Sequence, residues 1–271
     1  MINNGTFNLA SGDDGMHADK TLEINNGEFQ ITQSYEGIES AAITINDGYF
    51  QMIASDDGIN VAGGNDGSGM GQGMRPGGKP NRGGGPGQDT YTSSGSYTLD
   101  INGGYIYVDA AGDGIDVNGA ITMTGGTVIV NGPTQNMNGA LDYDQGFNIS
   151  GGFLLAVGSA GMAQAPGTSS SQNSILVNFN SAQQAGTLIH IQGSNGEDIL
   201  TFSPTKVYQS IAFSSADIVT GTTYDMYLGG SSTGTATDGL YEGGTYSSGT
   251  QYTSLTISGV VTSVGGGGFR R

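Results

Sequence analysis

The chain has no cysteine and no tryptophan, and only 7 of its 271 residues are lysine or arginine. The lack of cysteine excludes disulfide bonds and metal sites built on thiolates. Because nucleic acids are bound through clustered basic side chains, we expect no nucleic-acid partner. No apolar run approaches the roughly 20 residues that a membrane-spanning helix needs, so we also expect no membrane span.

Acidic residues and glycine are what the chain has in excess. It carries 24 aspartate and glutamate residues, a formal net charge of −17 and 51 glycines. Such a chain repels itself unless cations neutralise it, and divalent cations suit that role. Apolar residues still recur at regular spacing, which predicts a folded chain with disorder confined to local stretches. No signal peptide is visible, and Met1 to Gly5 resembles the middle of a repeat, so we expect a trimmed N-terminus.

A unit of about 22 residues recurs along the first half of the chain. Its first part alternates apolar and polar residues on both sides of a glycine turn, as in residues 21–31, which predicts two half-buried strands. A second part, such as residues 56–60, adds another glycine turn and a short third strand. Three short strands per repeat predict an all-β fold, a right-handed parallel β-helix. Copies of the first part occur at residues 42–52, 98–108, 120–130 and 146–157.

The repeat divides the chain into two parts. Residues 1–166 are expected to form regular coils, interrupted at 62–90 by a glycine-rich inserted surface loop. Residues 167–271 are expected to complete the helix irregularly and to cap it, because a solenoid needs its open edge covered. One predicted inward column contains Leu22, Ile43, Leu99 and Ile121, and a predicted ladder of side-chain amides contains Asn3, Asn25, Asn46 and Asn102.

The turn before each third strand carries acidic side chains, as at Asp56, Asp57 and Asn60. In stacked coils these oxygens lie about 4.8 Å apart and repel. A calcium ion, which takes about six to eight oxygen ligands, relieves this repulsion. The sequence therefore predicts calcium sites. The candidate ligands are Asp13, Asp14, Glu36, Glu39, Asp56, Asp57, Asn60, Asp113, Asp116, Asp142 and Asp144.

The alternative is that Asp-Gly only forms the turn, since aspartate tolerates strained backbone. Five such turns in register favour a metal instead. Zinc is disfavoured because His17 and His190 are the only histidines. We expect His17 to be a turn residue beside the acidic column.

Three tyrosines are predicted to point outward after the glycine turn. Tyr49, Tyr105 and Tyr107 would form a flat aromatic strip suited to stacking on sugar rings. Alternatively they are ordinary surface tyrosines, or the 62–90 loop or the C-terminal region covers them. The outward positions of Ile129 and Leu155 favour partial coverage of that face.

A specific combination of motifs occurs at residues 13–19, the Ile-Asn-Asn-Gly and Ile-Asn-Gly-Gly turns, residues 138–144, residues 233–241 and the terminal glycine run at 265–268. With these motifs the sequence resembles the secreted carbohydrate-binding β-helix family of anaerobic bacteria. The resemblance extends over nearly the whole chain and implies a pectate-lyase-like fold and an extracellular or cell-surface location. It also implies several calcium ions on the acidic turns and non-catalytic binding of plant polysaccharides such as cellulose or pectic acid.

Two other functions remain open. A calcium-dependent polysaccharide lyase needs a basic residue to remove a proton from a uronate, and Lys20 is the only plausible base. A structural protein would extend a filament by end-to-end self-association at its open edge. We expect a calcium-stabilised adhesion or capture module for polysaccharide in preference to either.

Overall fold

The computed structural model describes residues 1–62 and 97–265. These residues form β-strands, turns and bends without a helix. The strands up to residue 158 pair with one another in parallel. The expected all-β class with parallel strands is thus confirmed. The predicted inserted loop at 62–90 lies, from residue 63 on, outside the described residues. No helix that could cross a membrane occurs in the described part of the chain.

Three parallel sheets take one strand each from every repeat, in strict rotation along the chain. Sheet 1 begins with β1 (Thr6–Ala10), β4 (Glu28–Gln33), β7 (Tyr49–Ala54), β10 (Tyr105–Ala110), β13 (Thr127–Asn131) and β16 (Phe153–Gly158). Sheet 2 contains β2 (Met16–Ala18), β5 (Ile38–Ser40), β8 (Ile59–Val61), β11 (Ile115–Val117) and β14 (Leu141–Tyr143). Sheet 3 contains β3 (Leu22–Ile24), β6 (Ala42–Ile45), β9 (Thr98–Ile101), β12 (Ala120–Met123) and β15 (Gly146–Ile149).

The strands pair in register, so equivalent side chains of successive repeats stack. The predicted column of Leu22, Ile43, Leu99 and Ile121 is confirmed by the pairing in sheet 3. In sheet 1 the rings of Phe7, Phe29 and Phe50 stack with centroid distances of 4.9 and 4.5 Å. Alternate residues of each strand are buried between the three sheets, where removal of apolar surface from water stabilises the fold.

The amide ladder at the first glycine turn is confirmed as well. Asn25 Nδ2 donates to Asn3 Oδ1 at 2.9 Å, Asn46 to Asn25 at 2.7 Å and Asn102 to Asn46 at 2.9 Å. The glycine two residues after the ladder asparagine has a positive φ: Gly48 has φ 128°, and a Cβ there would lie 3.0 Å from the carbonyl oxygen of Gly27. Glycine and asparagine at this turn therefore fix the register of one repeat on the next.

The C-terminal region extends sheet 1 and adds two antiparallel sheets. Sheet 1 continues beyond β16 with β20 (Tyr208–Ser214), β17 (Ser174–Gln183) and β27 (Val261–Val264). Sheet 4 contains β23 (Thr235–Thr237), β24 (Leu240–Glu242), β19 (Asp198–Phe202), β18 (Ile189–Gly193), β21 (Thr223–Leu228) and β26 (Thr250–Thr256). Sheet 5 pairs β22 (Ser231–Ser232) with β25 (Tyr246–Ser247).

Sheet 4 packs on the outer face of sheet 1 and forms a second hydrophobic core there. Ile129 and Leu155 are fully buried in this core together with Phe202 and Met226. The expected partial coverage of the outer face of sheet 1 is thus confirmed. The outer face stays open at the first repeats, where Glu28 and Tyr49 are exposed.

Candidate functional site

The acidic turns before sheet 2 stack to form what we call the acidic column. The column consists of two rows of side chains. The strand row contains the middle residue of each strand of sheet 2, and the turn row contains the residue before the glycine of each turn. Backbone pairing places the members of each row side by side, for example through Gly37 N–H donating to the Asp57 carbonyl at 2.9 Å. The strand row is His17, Glu39, Asn60, Asp116 and Asp142. The turn row is Asp14, Glu36, Asp57 and Asp113.

Glycine between the two rows is required by close packing. A Cβ on Gly58 would overlap the side chain of Val108 and lie 2.5 Å from the carbonyl oxygen of Gly114. The backbone of each turn therefore lies directly against the core and against the next turn. This close approach brings the flanking polar side chains of neighbouring repeats together.

One end of the column, which we call the histidine end, joins Asp14, His17 and Glu39. One ligand atom of each lies within 4.8 Å of the others. His17 Nδ1 is 3.1 Å from Asp14 Oδ2 and also contacts Glu39 Oε2. Partial burial lowers the pKa of His17, but the charge of Glu39 and the contacts with Asp14 and Asp19 outweigh it and raise the pKa above the usual 6.5.

The middle of the column contains a hydrogen-bonded pair. Asn60 Nδ2 donates to Glu36 Oε1 at 2.7 Å, and both residues are buried. Asn60 is 1% exposed, and its Oδ1 has no hydrogen-bond partner among residues 1–62 and 97–265. The strand row thus has the neutral amide of Asn60 at this position, and a carboxylate there would add negative charge to the column.

The other end, which we call the aspartate group, joins Asp57, Asp113 and Asp116. One carboxylate oxygen of each lies within 4.8 Å of the others. Asp57 Oδ1 accepts the N–H of Asp113 at 2.6 Å, and Asp113 Oδ1 accepts the N–H of Gly139.

Burial dominates the electrostatics of the aspartate group. Burial raises the pKa of Asp57 well above its usual value, and the charges of Asp113 and Asp116 raise it further. Burial also raises the pKa of Asp113 to about 7; the hydrogen bond from Gly139 opposes this, while Asp142 and Asp56 add to it. These carboxylates are therefore costly to ionise without a cation.

Besides the Glu36–Asn60 pair, four predicted ligands lie outside both groups. Asp13 and Asp144 are exposed. Asp56 donates its N–H to the Tyr35 carbonyl at 2.9 Å. Asp142 continues the strand row and accepts a hydrogen bond from Gln164 at 3.1 Å. Lys20, the candidate base of a lyase, is exposed between β2 and β3.

The structure corrects the expected strip of three tyrosines. Tyr107 is only 8% exposed, because it belongs to the core under sheet 4. Tyr49 and Tyr105 stack face to face, with centroids 5.2 Å apart and ring planes 11° from parallel. Strand spacing of about 4.8 Å produces this stack, since the two rings occupy the same register position. Each ring covers one face of the other, so they form no flat platform.

Asp238 is a site residue that sequence reasoning missed. Its Oδ2 accepts the hydroxyl of Tyr105 at 2.8 Å and the amide of Gln51 at 2.6 Å. Gln51 also contacts the hydroxyl of Tyr49 at 2.8 Å. Asp238 stands before Gly239 in a turn, where it has φ 50°, and it lies within the motif at residues 233–241, which was not assigned a binding role. Through Asp238, the C-terminal region fixes the orientation of the tyrosine pair.

A trough of about 740 Å³, which we call the tyrosine trough, lies beside this pair. Its floor is the backbone of stacked turn glycines, and Tyr49, 41% exposed, forms a wall. The smaller Thr6 and Glu28 precede Tyr49 in the same register position. The face of the Tyr49 ring turned away from Tyr105, which we call its free face, is therefore on the side of Glu28. Asn26 and Asp47 line the turn side.

One family model matches the chain. Residues 1–73 match the family described as carbohydrate-binding domain-containing protein. The match contains the histidine end and Tyr49, whereas Tyr105, Asp113 and Asp116 lie beyond it. No curated protein and no solved structure matches the chain significantly.

Proposed function

We propose that this chain is a non-catalytic, calcium-stabilised protein that binds a neutral polysaccharide in the tyrosine trough. The family match supports a carbohydrate-binding role. The rotation of strands through three parallel sheets supports the winding of a right-handed parallel β-helix, in which the trough is a groove across the first coils. An extracellular or cell-surface adhesion or capture module is part of the same proposal.

The observation that carries the binding proposal is the free face of Tyr49 beside polar side chains. An aromatic face packs against the C–H groups of a pyranose ring, while oxygen and amide groups bind its hydroxyls. Glu28, Asp47 and Asn26 supply such groups in the trough. Apolar wall and polar rim together are what a sugar ring requires.

The charge of the trough and the orientation of the tyrosine rings restrict the class of polysaccharide that can bind. Glu28 and Asp47 place negative charge in the trough, which disfavours a uronate and favours a neutral glucan such as cellulose. Pectic acid would need calcium to bridge its carboxylates to those of the protein. Because the two tyrosines stack on each other, only one free face looks into the trough, and one sugar ring stacks at a time.

Calcium fits the aspartate group. Asp57, Asp113 and Asp116 offer carboxylate oxygens only, and the buried Oδ1 of Asn60 lies on the neighbouring strand without a hydrogen-bond partner in the described chain. Calcium prefers oxygen ligands and accepts water and backbone carbonyls for the rest. When bound, it would neutralise the buried carboxylates. Free calcium outside cells suits weak sites of this kind.

The test of glycan binding is a calorimetric titration of the calcium-loaded chain with cellohexaose. We expect Tyr49→Ala to weaken binding about tenfold, because it removes the one free aromatic face. Ile53→Ala is the matched control, since Ile53 is exposed on the same strand outside the trough. Equal affinity of the Tyr49 variant and the wild type would contradict the proposal. Lys20-dependent formation of unsaturated uronate from pectate would establish a lyase instead.

A further inference from the structure

We propose that the histidine end is a separate site for a divalent first-row transition-metal ion, of which Zn²⁺ and Mn²⁺ are the probes. It uses Asp14, Glu39 and Nδ1 of His17 as protein ligands. The site stands whether or not the chain binds glycan, and it differs in chemistry from the all-oxygen aspartate group.

The ligand set of the histidine end differs from that of a calcium site. Calcium takes oxygen ligands, whereas imidazole together with carboxylates suits zinc, manganese and iron. His17 is the only histidine near the column; His190, the other histidine of the chain, is buried in sheet 4 and stacks on Tyr246 at 3.8 Å. One residue of the strand row thus changes the metal preference of this end.

A buried carboxylate oxygen of Asp14 also points to a ligand at the histidine end. The side chain of Asp14 is 5% exposed, and its Oδ1 has no hydrogen-bond partner among the described residues. Leaving a buried acceptor unsatisfied is costly, so such atoms call for a ligand. Its other oxygen, Oδ2, lies 3.1 Å from His17 Nδ1.

Nδ1 of His17 faces two carboxylates at once. It contacts both Asp14 Oδ2 and Glu39 Oε2. A single N–H can be directed well at only one of them. A metal ion coordinated by Nδ1 and both carboxylates compensates both.

Asp19 is placed to accept a hydrogen bond from the second ring nitrogen of His17, as carboxylates do beside metal-bound histidines. His17 Nε2 lies 3.3 Å from Asp19 Oδ1. A histidine ligand usually donates its second ring N–H to a carboxylate, which fixes the tautomer and leaves the first nitrogen for the metal. Here that arrangement leaves Nδ1 facing inward. His17 is 37% exposed and Asp19 83%, so an ion can enter from the solvent.

The experiment titrates Zn²⁺ into the full chain in the presence of excess Ca²⁺ and follows heat of binding. We expect one Zn²⁺ per chain, an affinity at least thirtyfold lower in His17→Asn, and about tenfold lower in Asp19→Asn. The calcium-induced rise in Tm should be unchanged in both variants. Mn²⁺, added to isotope-labelled protein, should broaden amide signals of residues 14–19 first.

Asp113→Asn is the matched control at the opposite end of the column. It should lose the calcium response and keep the affinity for Zn²⁺. Undetectable Zn²⁺ binding, equal Zn²⁺ affinity in wild type and His17→Asn, or displacement of Zn²⁺ by the excess Ca²⁺ would each overturn the inference. No glycan enters the assay, so a failure of carbohydrate binding leaves its outcome unaffected.

Discussion

The histidine end and the aspartate group of the acidic column lie on different strands of the same sheet and use equivalent turns, yet they present different ligands. At one end an imidazole faces two carboxylates; at the other three carboxylates converge. Between them the hydrogen bond from Asn60 to Glu36 occupies the position where a further charge would connect the two ends. The repeat therefore fixes where side chains meet, and single residues decide which ion each meeting point suits.

The largest expected effect concerns the aspartate group without metal. Because the pKa of Asp113 is raised to about 7 and that of Asp57 is raised as well, the folded state binds more protons than the unfolded state between their ordinary values and the raised ones. Stability in chelator should therefore fall as the pH rises from about 4 to 7, by on the order of 4 kcal/mol for a shift of about three units.

The measurement is denaturant unfolding in chelator across this pH range. Asp113→Asn should flatten the dependence, and calcium should remove most of it. A metal-free wild type that is equally stable at pH 5 and pH 8 would contradict the crowding of charge in the aspartate group.

The next largest effect is expected from a change in the close packing of the turn glycines, which both ends of the column share. Gly58→Ala should destabilise the protein by about 3 kcal/mol, because its Cβ would overlap Val108 and the next turn. Gly12→Ala is the control in an acidic turn, since a Cβ there meets no atom within 4 Å. Urea unfolding measures both variants. Similar losses in the two would show that the turns do not stack as closely as described.

A smaller effect is expected when the amide that separates the two ends of the column is replaced by a carboxylate. Asn60→Asp replaces the donor to Glu36 with a carboxylate, which should cost about 2 kcal/mol in chelator. Calcium should recover more stability in this variant than in the wild type, because the new carboxylate needs a cation. Asn60→Ala removes the amide without adding charge and serves as the comparison. Identical calcium responses of all three proteins would contradict the role of Asn60.

The smallest effect is expected at a predicted ligand outside both groups. Asp13→Asn should change stability by less than about 0.5 kcal/mol and leave metal affinity unaltered, because Asp13 is exposed. Thermal unfolding with and without calcium checks this. A large loss of the calcium response would extend the site outward along the turn.

The sequence predicted the features that depend on the repeat alone. Alternation of apolar residues placed Ile43 and Leu99 in one column, and the glycine turn aligned the asparagine ladder. Stacking of the acidic turns also followed from the period. These features are local in each repeat and are copied from one to the next, so pattern is sufficient to find them.

The remaining features depend on contacts between distant parts of the chain. Tyr107 is covered because sheet 4 packs over it, and no period in the sequence places sheet 4 there. Asp238 reaches Tyr105 across 133 residues. The face-to-face stacking of Tyr49 and Tyr105 was predictable, since identical register at about 4.8 Å leaves aromatic rings no room to lie flat side by side.

The division of the column is tested most directly by crystals grown with Ca²⁺ and soaked in Zn²⁺, with anomalous diffraction recorded on both sides of the zinc absorption edge. We expect a zinc peak at Nδ1 of His17 and a separate calcium peak among Asp57, Asp113 and Asp116. A zinc peak at the aspartate group, or no peak at either end, would contradict it.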